Sequence, residues 1–245
     1  MNWVNHSGVK AIALPGVSLR KANMNNRILV AGKIALLLLV AAPLPAAEMT
    51  RLDAKPGASK VRLEGTSTVH DWQIEGPLIS GFIEVGPGFP LEPGQAATPG
   101  KVEARVQAFI PVRSLRSIEK DGSPYSDKMN DVMYEKLKQP ANPRIYYRLN
   151  ELVLKEAPKD KAAPYVFDAT GQLAVAGLTN KISMPVNITP LGDKKLKITG
   201  STSVKMSDFK VEAPVLIGIL STGDDVKIKF EWTVGPKAAP AAASK

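Results

Sequence analysis

Few residues of this sequence have side chains suited to acid–base or nucleophilic chemistry. Beyond residue 47 the single histidine is His70, and Asp71 follows it. Consecutive residues of a strand point to opposite faces, so this pair does not predict a Ser-His-Asp triad. Zinc sites usually take three or four ligands from His, Cys and carboxylates, and the chain contains no cysteine. We interpret His70 as a structural residue that makes hydrogen bonds.

The paired carboxylates also have simpler interpretations than glycosidase catalysis. Asp127 and Asp131 fall in a predicted helix, where they suit its first turns, and Asp224 and Asp225 fall in a predicted turn. The sequence holds no glycine-rich phosphate loop that ends in Lys-Ser or Lys-Thr. The sequence therefore predicts neither an enzyme nor a bound cofactor.

The distribution of charge argues against nucleic acid as a partner. The whole chain carries +9, but its first 47 residues hold five basic and no acidic residues, which leaves 27 basic and 23 acidic residues, or +4. Nucleic-acid binders cluster Lys and Arg on one face, whereas the charges of residues 101–105 alternate in sign. The adjacent Tyr146 and Tyr147 point to opposite faces and make no stacking platform.

What remains is a long apolar face carried by strands. Residues 101–108 alternate strictly between polar and apolar side chains, and Ile110 continues the apolar side, which predicts a strand with one buried and one wet face. Small residues on the buried face, such as Ala104 and Ala108, favour a cavity, whereas large neighbours would fill it. Our candidates for residues that line a lumen and bind a ligand are Val102, Ala104, Val106, Ala108, Ile145, Tyr147, Leu173, Val175, Ile182, Met184, Val186, Leu196, Ile198, Phe230 and Trp232.

Similar alternation predicts eight or nine strands in all, with one helix between them. Ser126 can cap this helix, Pro140 ends it, and an apolar stripe follows at helical spacing: Met129, Val132, Met133 and Leu137. That stripe is typical of core packing, and it could also close one end of a barrel. The pattern predicts an all-β fold but leaves a closed barrel and a two-sheet sandwich open.

The ends of the chain predict export. Residues 1–47 combine basic residues, a short apolar run from Ile34 and a small-residue end, which is typical of a secretory signal peptide whose true start could be Met24. Cleavage after Ala46 or Ala47 would place the protein in the periplasm or outside the cell. We expect a linker over 48–57, a β-domain over 58–235 and a disordered Pro/Ala-rich tail over 236–245.

A set of short motifs, in order along the chain, resembles the YceI family. Residues 65–72 (GTSTVHDW) resemble its opening strand, and residues 127–137 resemble its helix. Further matches are residues 110–115 (IPVRSL), 143–147 (PRIYY), 171–179 (GQLAVAGLT), 206–209 (MSDF) and 226–230 (VKIKF). Two features depart from the family pattern: the His-Asp-Trp of the first strand and a long Pro/Gly loop over 86–100.

The resemblance implies an extended, lipocalin-like antiparallel barrel of about eight strands with one short amphipathic helix. It also implies a periplasmic carrier that holds an isoprenoid or a similar long-chain lipid in an apolar lumen, with no catalytic group and no stable insertion into a membrane. The alternative is a filled β-domain that acts as a non-catalytic interaction or stress-response module. A packed interior with an exposed apolar patch would distinguish the alternative from a carrier.

Overall fold

Strands dominate the folded part of the chain. The computed structural model describes residues 48–68, 70–216 and 220–237, and the predicted signal peptide lies outside them, as does residue 238 onward of the predicted tail. The described elements are β1 (Thr50–Ser67), β2 (Trp72–Gly76), β3 (Ser80–Val85), β4 (Gly100–Val102), β5 (Ala104–Pro111), β6 (Arg116–Ile118), α1 (Asp127–Lys136), β7 (Arg144–Glu156), β8 (Tyr165–Val175), β9 (Leu178–Gly192), β10 (Lys195–Lys205), β11 (Val215–Leu216) and β12 (Leu220–Gly235).

Eight of these strands close into an antiparallel barrel. Around the ring the order is β1, β12, β10, β9, β8, β7, β5 and β3, and β3 pairs again with β1. Full closure leaves the ring without a free edge, which is how a barrel avoids edge-to-edge pairing. The fold is therefore the predicted all-β barrel with a single α-helix among the described residues, and the sandwich alternative is wrong.

The first strand closes the barrel because it is long and irregular. Thr50–Asp53 pair with β3, and Val61–Gly65 pair with β2, while β12 follows β1 on its other side. The register shifts between Ala54 and Ser59, where Gly57 has a φ of +71°. The predicted linker over 48–57 is wrong from Thr50 onward, because β1 begins there and pairs through its backbone with β3 and β12. The polar, Pro-containing sequence of this stretch gives little indication of a strand.

One end of the barrel is filled by the Pro/Gly-rich loop over 86–99. Phe89 is 3% exposed and stacks on Phe167 of β8, with ring centroids 5.7 Å apart. The Gln95 side chain accepts from the backbone N–H of Leu91, and the hydroxyl of Tyr165 donates to the Gln95 carbonyl. The loop is irregular, as its composition predicts, but it forms a plug that packs against the barrel interior.

The helix lies at the opposite end and is held to the sheet by polar contacts. Ser126 caps it, since its hydroxyl accepts from the N–H of Met129 at 3.3 Å. The buried Asn130 accepts from the backbone N–H of Ser117 on β6 at 2.7 Å, and the hydroxyl of Tyr134 donates to the Leu115 carbonyl at 2.8 Å. No helix within the described ranges is long and apolar enough to cross a membrane.

Candidate functional site

The interior of the barrel is hollow between the plug and the helix. Alternation places one side of every strand inward, and the inward side chains surround an inner cavity of about 120 Å³. No charged residue lines it. Its lining residues are Val61, Ile79, Ile83, Val106, Ala108, Phe109, Ile110, Ile145, Tyr146, Tyr147, Leu149, Leu152, Ala169, Leu173, Ile182, Met184, Val186, Ile188, Ile198, Thr202, Ile228, Phe230 and Trp232.

Inward glycines leave room for aromatic rings to lie against the wall. A Cβ on Gly200 of β10 would lie 2.8 Å from two ring carbons of Phe230, its cross-strand partner. A Cβ on Gly171 of β8 would lie 2.6 Å from the hydroxyl oxygen of Tyr147. A side chain at Gly200 would displace the Phe230 ring from the wall, and one at Gly171 would meet both the Tyr147 ring and, at 2.5 Å, the Arg148 carbonyl oxygen. The glycines therefore help to keep the lumen open.

A larger outer cavity of about 380 Å³ adjoins the inner one beneath the helix. Both cavities share the same ring of apolar residues: Val61, Ile110, Ile145, Leu173 and Ile228. The apolar stripe of α1, called the methionine stripe below, lines the outer cavity and is half-buried; it consists of Met129, Val132, Met133 and Leu137. It therefore faces the hollow end of the barrel instead of a filled core. Charged side chains line only the outer cavity of the two, where Lys128, Lys136 and Lys205 lie at the mouth with the hydroxyl-bearing Tyr125, Ser126 and Thr222.

Inside the lumen the few polar atoms are isolated. The hydroxyl of Tyr147 and the indole N–H of Trp232 are buried and have no hydrogen-bond partner. Burial raises the pKa of Tyr147 to about 12, because the apolar surroundings disfavour the phenolate. The inner cavity is thus a low-dielectric space that suits hydrocarbon and disfavours charge.

The predicted lumen residues divide by their depth in the barrel. Those that line a cavity are Val106, Ala108, Ile145, Tyr147, Leu173, Val175, Ile182, Met184, Val186, Ile198, Phe230 and Trp232. The structure does not bring Val102, Ala104 and Leu196 to either cavity. Leu196 is fully buried opposite Val234, and Ala104 pairs with the fully buried Val85. A role in binding stays a prediction for the lining residues.

Sequence reasoning missed most of the mouth. Trp72 and Phe209 line the outer cavity together with the methionine stripe, but none of them was among the predicted lumen residues. Trp72 lies over Gly65, its partner on β1, and its indole N–H donates to the Thr66 carbonyl at 3.2 Å. The available signal was the helical stripe itself, since its methionines suit a deformable lining.

The other candidates for chemistry occupy structural positions. His70 is exposed, its Nδ1 lies 2.9 Å from the Asp71 carbonyl, and its Nε2 lies 3.3 Å from the hydroxyl of Tyr125. Asp224 accepts from the backbone N–H of Ser207 at 2.8 Å, and hydrogen bonds from Ser207 lower the pKa of that carboxyl. Within the described part of the chain, no three His, Asp or Glu side chains are grouped to hold a metal ion.

Comparison with known proteins agrees with this architecture. The model of the family described as YceI-like domain matches residues 55–234. BcnA of Burkholderia cenocepacia is similar in structure, with a TM-score of 0.50 and 20% identity over 71% of this chain and 95% of its own. A polyisoprenoid binding domain from Saccharophagus degradans gives a TM-score of 0.54 and 13% identity over 78% of this chain and 100% of its own. At these identities the similarity concerns the fold, and no curated protein matches the chain.

Proposed function

Since this chain belongs to the YceI-like domain family, we propose that it is a periplasmic carrier for an isoprenoid or a similar long-chain amphiphilic lipid. The lipid chain would lie along the apolar lumen, with its end toward the plug. Its polar end would point toward the helix, where the lining includes lysines and hydroxyl groups. Binding, not catalysis, is the function that this proposal assigns to the protein.

The observation that carries the proposal is the pair of adjoining apolar cavities inside a closed barrel. Burial of hydrocarbon contributes roughly 0.8 kcal/mol per methylene, so each five-carbon unit would contribute roughly 3–4 kcal/mol before ordering costs are subtracted. Such binding depends on area, so the width of the lumen and the shape of the mouth would select the ligand.

The proposed location rests on the leader sequence. Residues 1–47 have the basic start, apolar run and small-residue end of a secretory signal peptide. A carrier in the aqueous periplasm would shield an apolar chain from water between membranes. The location and the carrier role support each other, because an exported protein meets lipids that need such shielding.

The second candidate is a filled β-domain that acts as an interaction or stress-response module. It predicts a packed interior, and the plugged end of the barrel is packed in that way, with Leu52, Tyr165 and Val234 fully buried. The hollow half between this end and the helix favours the carrier instead.

Mass spectrometry of organic extracts separates the two candidates. Protein purified without detergent from the periplasm of its native host should yield one lipid class in near-stoichiometric amount, because a lumen of this kind retains its ligand. An unrelated periplasmic protein from the same preparation is the control. An extract that matches this control would contradict the carrier function and favour the interaction module.

A further inference from the structure

Three inward-facing polar atoms lack a partner in the described residues. They are the indole nitrogen of Trp232, the hydroxyl of Tyr147 and the hydroxyl of Ser59. Trp232 is 4% exposed, and Ser59 is its direct cross-strand partner on β1. Buried polar groups are almost always hydrogen-bonded, and an unpartnered one is costly. These atoms therefore call for an explanation.

The other buried aromatic side chains with a polar atom are all satisfied by backbone carbonyls. Tyr165 donates to Gln95, Tyr134 donates to Leu115, and Trp72 donates to Thr66. Tyr147 and Trp232 differ from them in one respect, since both line the inner cavity. The Ser59 hydroxyl and the Gln73 amide oxygen also lack a partner in the described residues, but neither residue lines a cavity, so Tyr147 and Trp232 supply the two donors that the proposed ligand could reach.

The two donors lie on opposite walls of that space. Tyr147 belongs to β7 and Trp232 to β12, which are four strands apart in the ring of eight. An indole N–H can only donate, and a phenol hydroxyl donates readily, so both walls offer hydrogen bonds to an acceptor. No charged side chain lines the inner cavity, so a charged acceptor would be unpaired there, and a neutral one fits.

We propose that the ligand carries a neutral oxygen acceptor, of carbonyl or ether type, that enters the inner cavity and accepts a hydrogen bond from Tyr147. Trp232 supplies the second donor from the opposite wall. This inference rests on the proposed lipid-carrier function and adds that the bound chain is not a pure hydrocarbon in its buried part. The high pKa of Tyr147 agrees with it, because the phenol stays a donor at any physiological pH.

A matched pair of probes tests the inference on the delipidated protein. Nile red is bound first, and it is then displaced by a long-chain alkane or by the ketone of the same length with its carbonyl in mid-chain. We expect the ketone to displace Nile red at about three- to tenfold lower concentration, since a net hydrogen bond has that effect on affinity. In Tyr147→Phe the ratio should fall, and in the double variant with Trp232→Phe it should be close to one.

The matched control is Tyr165→Phe, which removes a buried hydroxyl that already has a partner. It should lower the unfolding midpoint and keep the preference for the ketone. Without ligand, Tyr147→Phe should unfold at the same midpoint as the wild type or higher, because it removes an unsatisfied hydroxyl. Equal displacement by both probes, or a lower midpoint for ligand-free Tyr147→Phe, would overturn the inference. Displacement by neither probe would instead contradict the carrier function itself.

Discussion

At the scale of single residues, three glycines in the wall help to keep the lumen open, because they have no side chains. Gly65, Gly171 and Gly200 each lie beneath an aromatic ring, from Trp72, Tyr147 and Phe230 in turn. Rings that lie along the wall add apolar contact area and leave the centre of the barrel free. In a filled barrel the same rings would point to the axis, where they bury the most surface.

Gly200→Ala tests this role of the glycines. The new Cβ would lie 2.8 Å from two carbons of the Phe230 ring, so the ring must move into the lumen. We expect weaker binding of Nile red, and a loss of roughly 1–3 kcal/mol in the free energy of unfolding because the site is overpacked. Fluorescence titration and chemical denaturation measure the two effects.

The second variant in this test adds Phe230→Leu to Gly200→Ala. A leucine leaves space for the new methyl group, so the double variant should regain part of the affinity for Nile red. Weak binding that persists in the double variant would show that Gly200→Ala acts through the backbone, whose Pro185 carbonyl lies 3.0 Å from the new Cβ, and not through the ring.

At the scale of elements, the helix serves as the wall of the mouth. Its buried side is polar, since Asn130 and Tyr134 bond to the strand segment around β6, and its apolar stripe faces the outer cavity. A helix with its apolar face on a hollow space depends on its polar anchors for position. That arrangement explains why the methionines are only half-buried.

Asn130→Ala should therefore loosen the helix. The backbone N–H of Ser117 on β6 would lose its acceptor, which costs about 1–3 kcal/mol for a buried donor. We expect a lower unfolding midpoint and faster release of bound Nile red in stopped-flow experiments. The control is Asp131→Ala on the exposed side of the same helix. Equal release rates for the two variants would contradict the anchoring role.

The elements also show how far the sequence could predict the site. Alternation of period 2 identifies the inward face of a strand, as for Ala108 and Phe230, because it shows to which face of the strand each side chain points. It does not report depth along the barrel, so it could not separate Ala108 beside the cavity from Ala104 and Leu196 near the plug. Depth is set by pairing register and by a loop over 86–99 whose sequence has no period.

For a related reason, the sequence could not predict how the barrel closes or which face of the helix is buried. Residues 50–54 pair through their backbone, so their side chains carry little strand signal. Asn130 and Tyr134 are buried by hydrogen bonds to particular backbone atoms of another segment. Such long-range contacts are not encoded in the spacing of apolar residues.

At the scale of the whole molecule, the barrel has one packed end and one open end. The plug fills the first, and the helix and the lysine-containing mouth mark the second. The proposed carrier would take up its ligand through the mouth, with the apolar chain first. The proposed export by residues 1–47 would bring that mouth into the aqueous space between membranes.

Export makes a prediction about processing. The acid-free leader with its apolar run predicts cleavage near its end, so the mature protein should begin at Ala47 or Glu48. N-terminal sequencing of protein recovered from the periplasm checks this. A mature chain that still contains residues before Ile34 would contradict the signal peptide.

The central claim is that the middle of the barrel is a ligand space and not a packed core. Ala108 and Ala104 lie on the same face of β5, but Ala108 lines the inner cavity, whereas Ala104 lines neither cavity and pairs with the fully buried Val85 beside the plug. The two alanines form a matched pair, because the same substitution should have opposite consequences in a roomy lumen and in a filled end.

The most direct measurement is the free energy of unfolding of delipidated Ala108→Phe, compared with Ala104→Phe and the wild type. We predict that Ala104→Phe loses about 1–3 kcal/mol through overpacking, whereas Ala108→Phe is neutral or stabilising because the ring fills apolar space. A loss of about 1–3 kcal/mol in Ala108→Phe as well would mean that the lumen is packed, and it would contradict the carrier account.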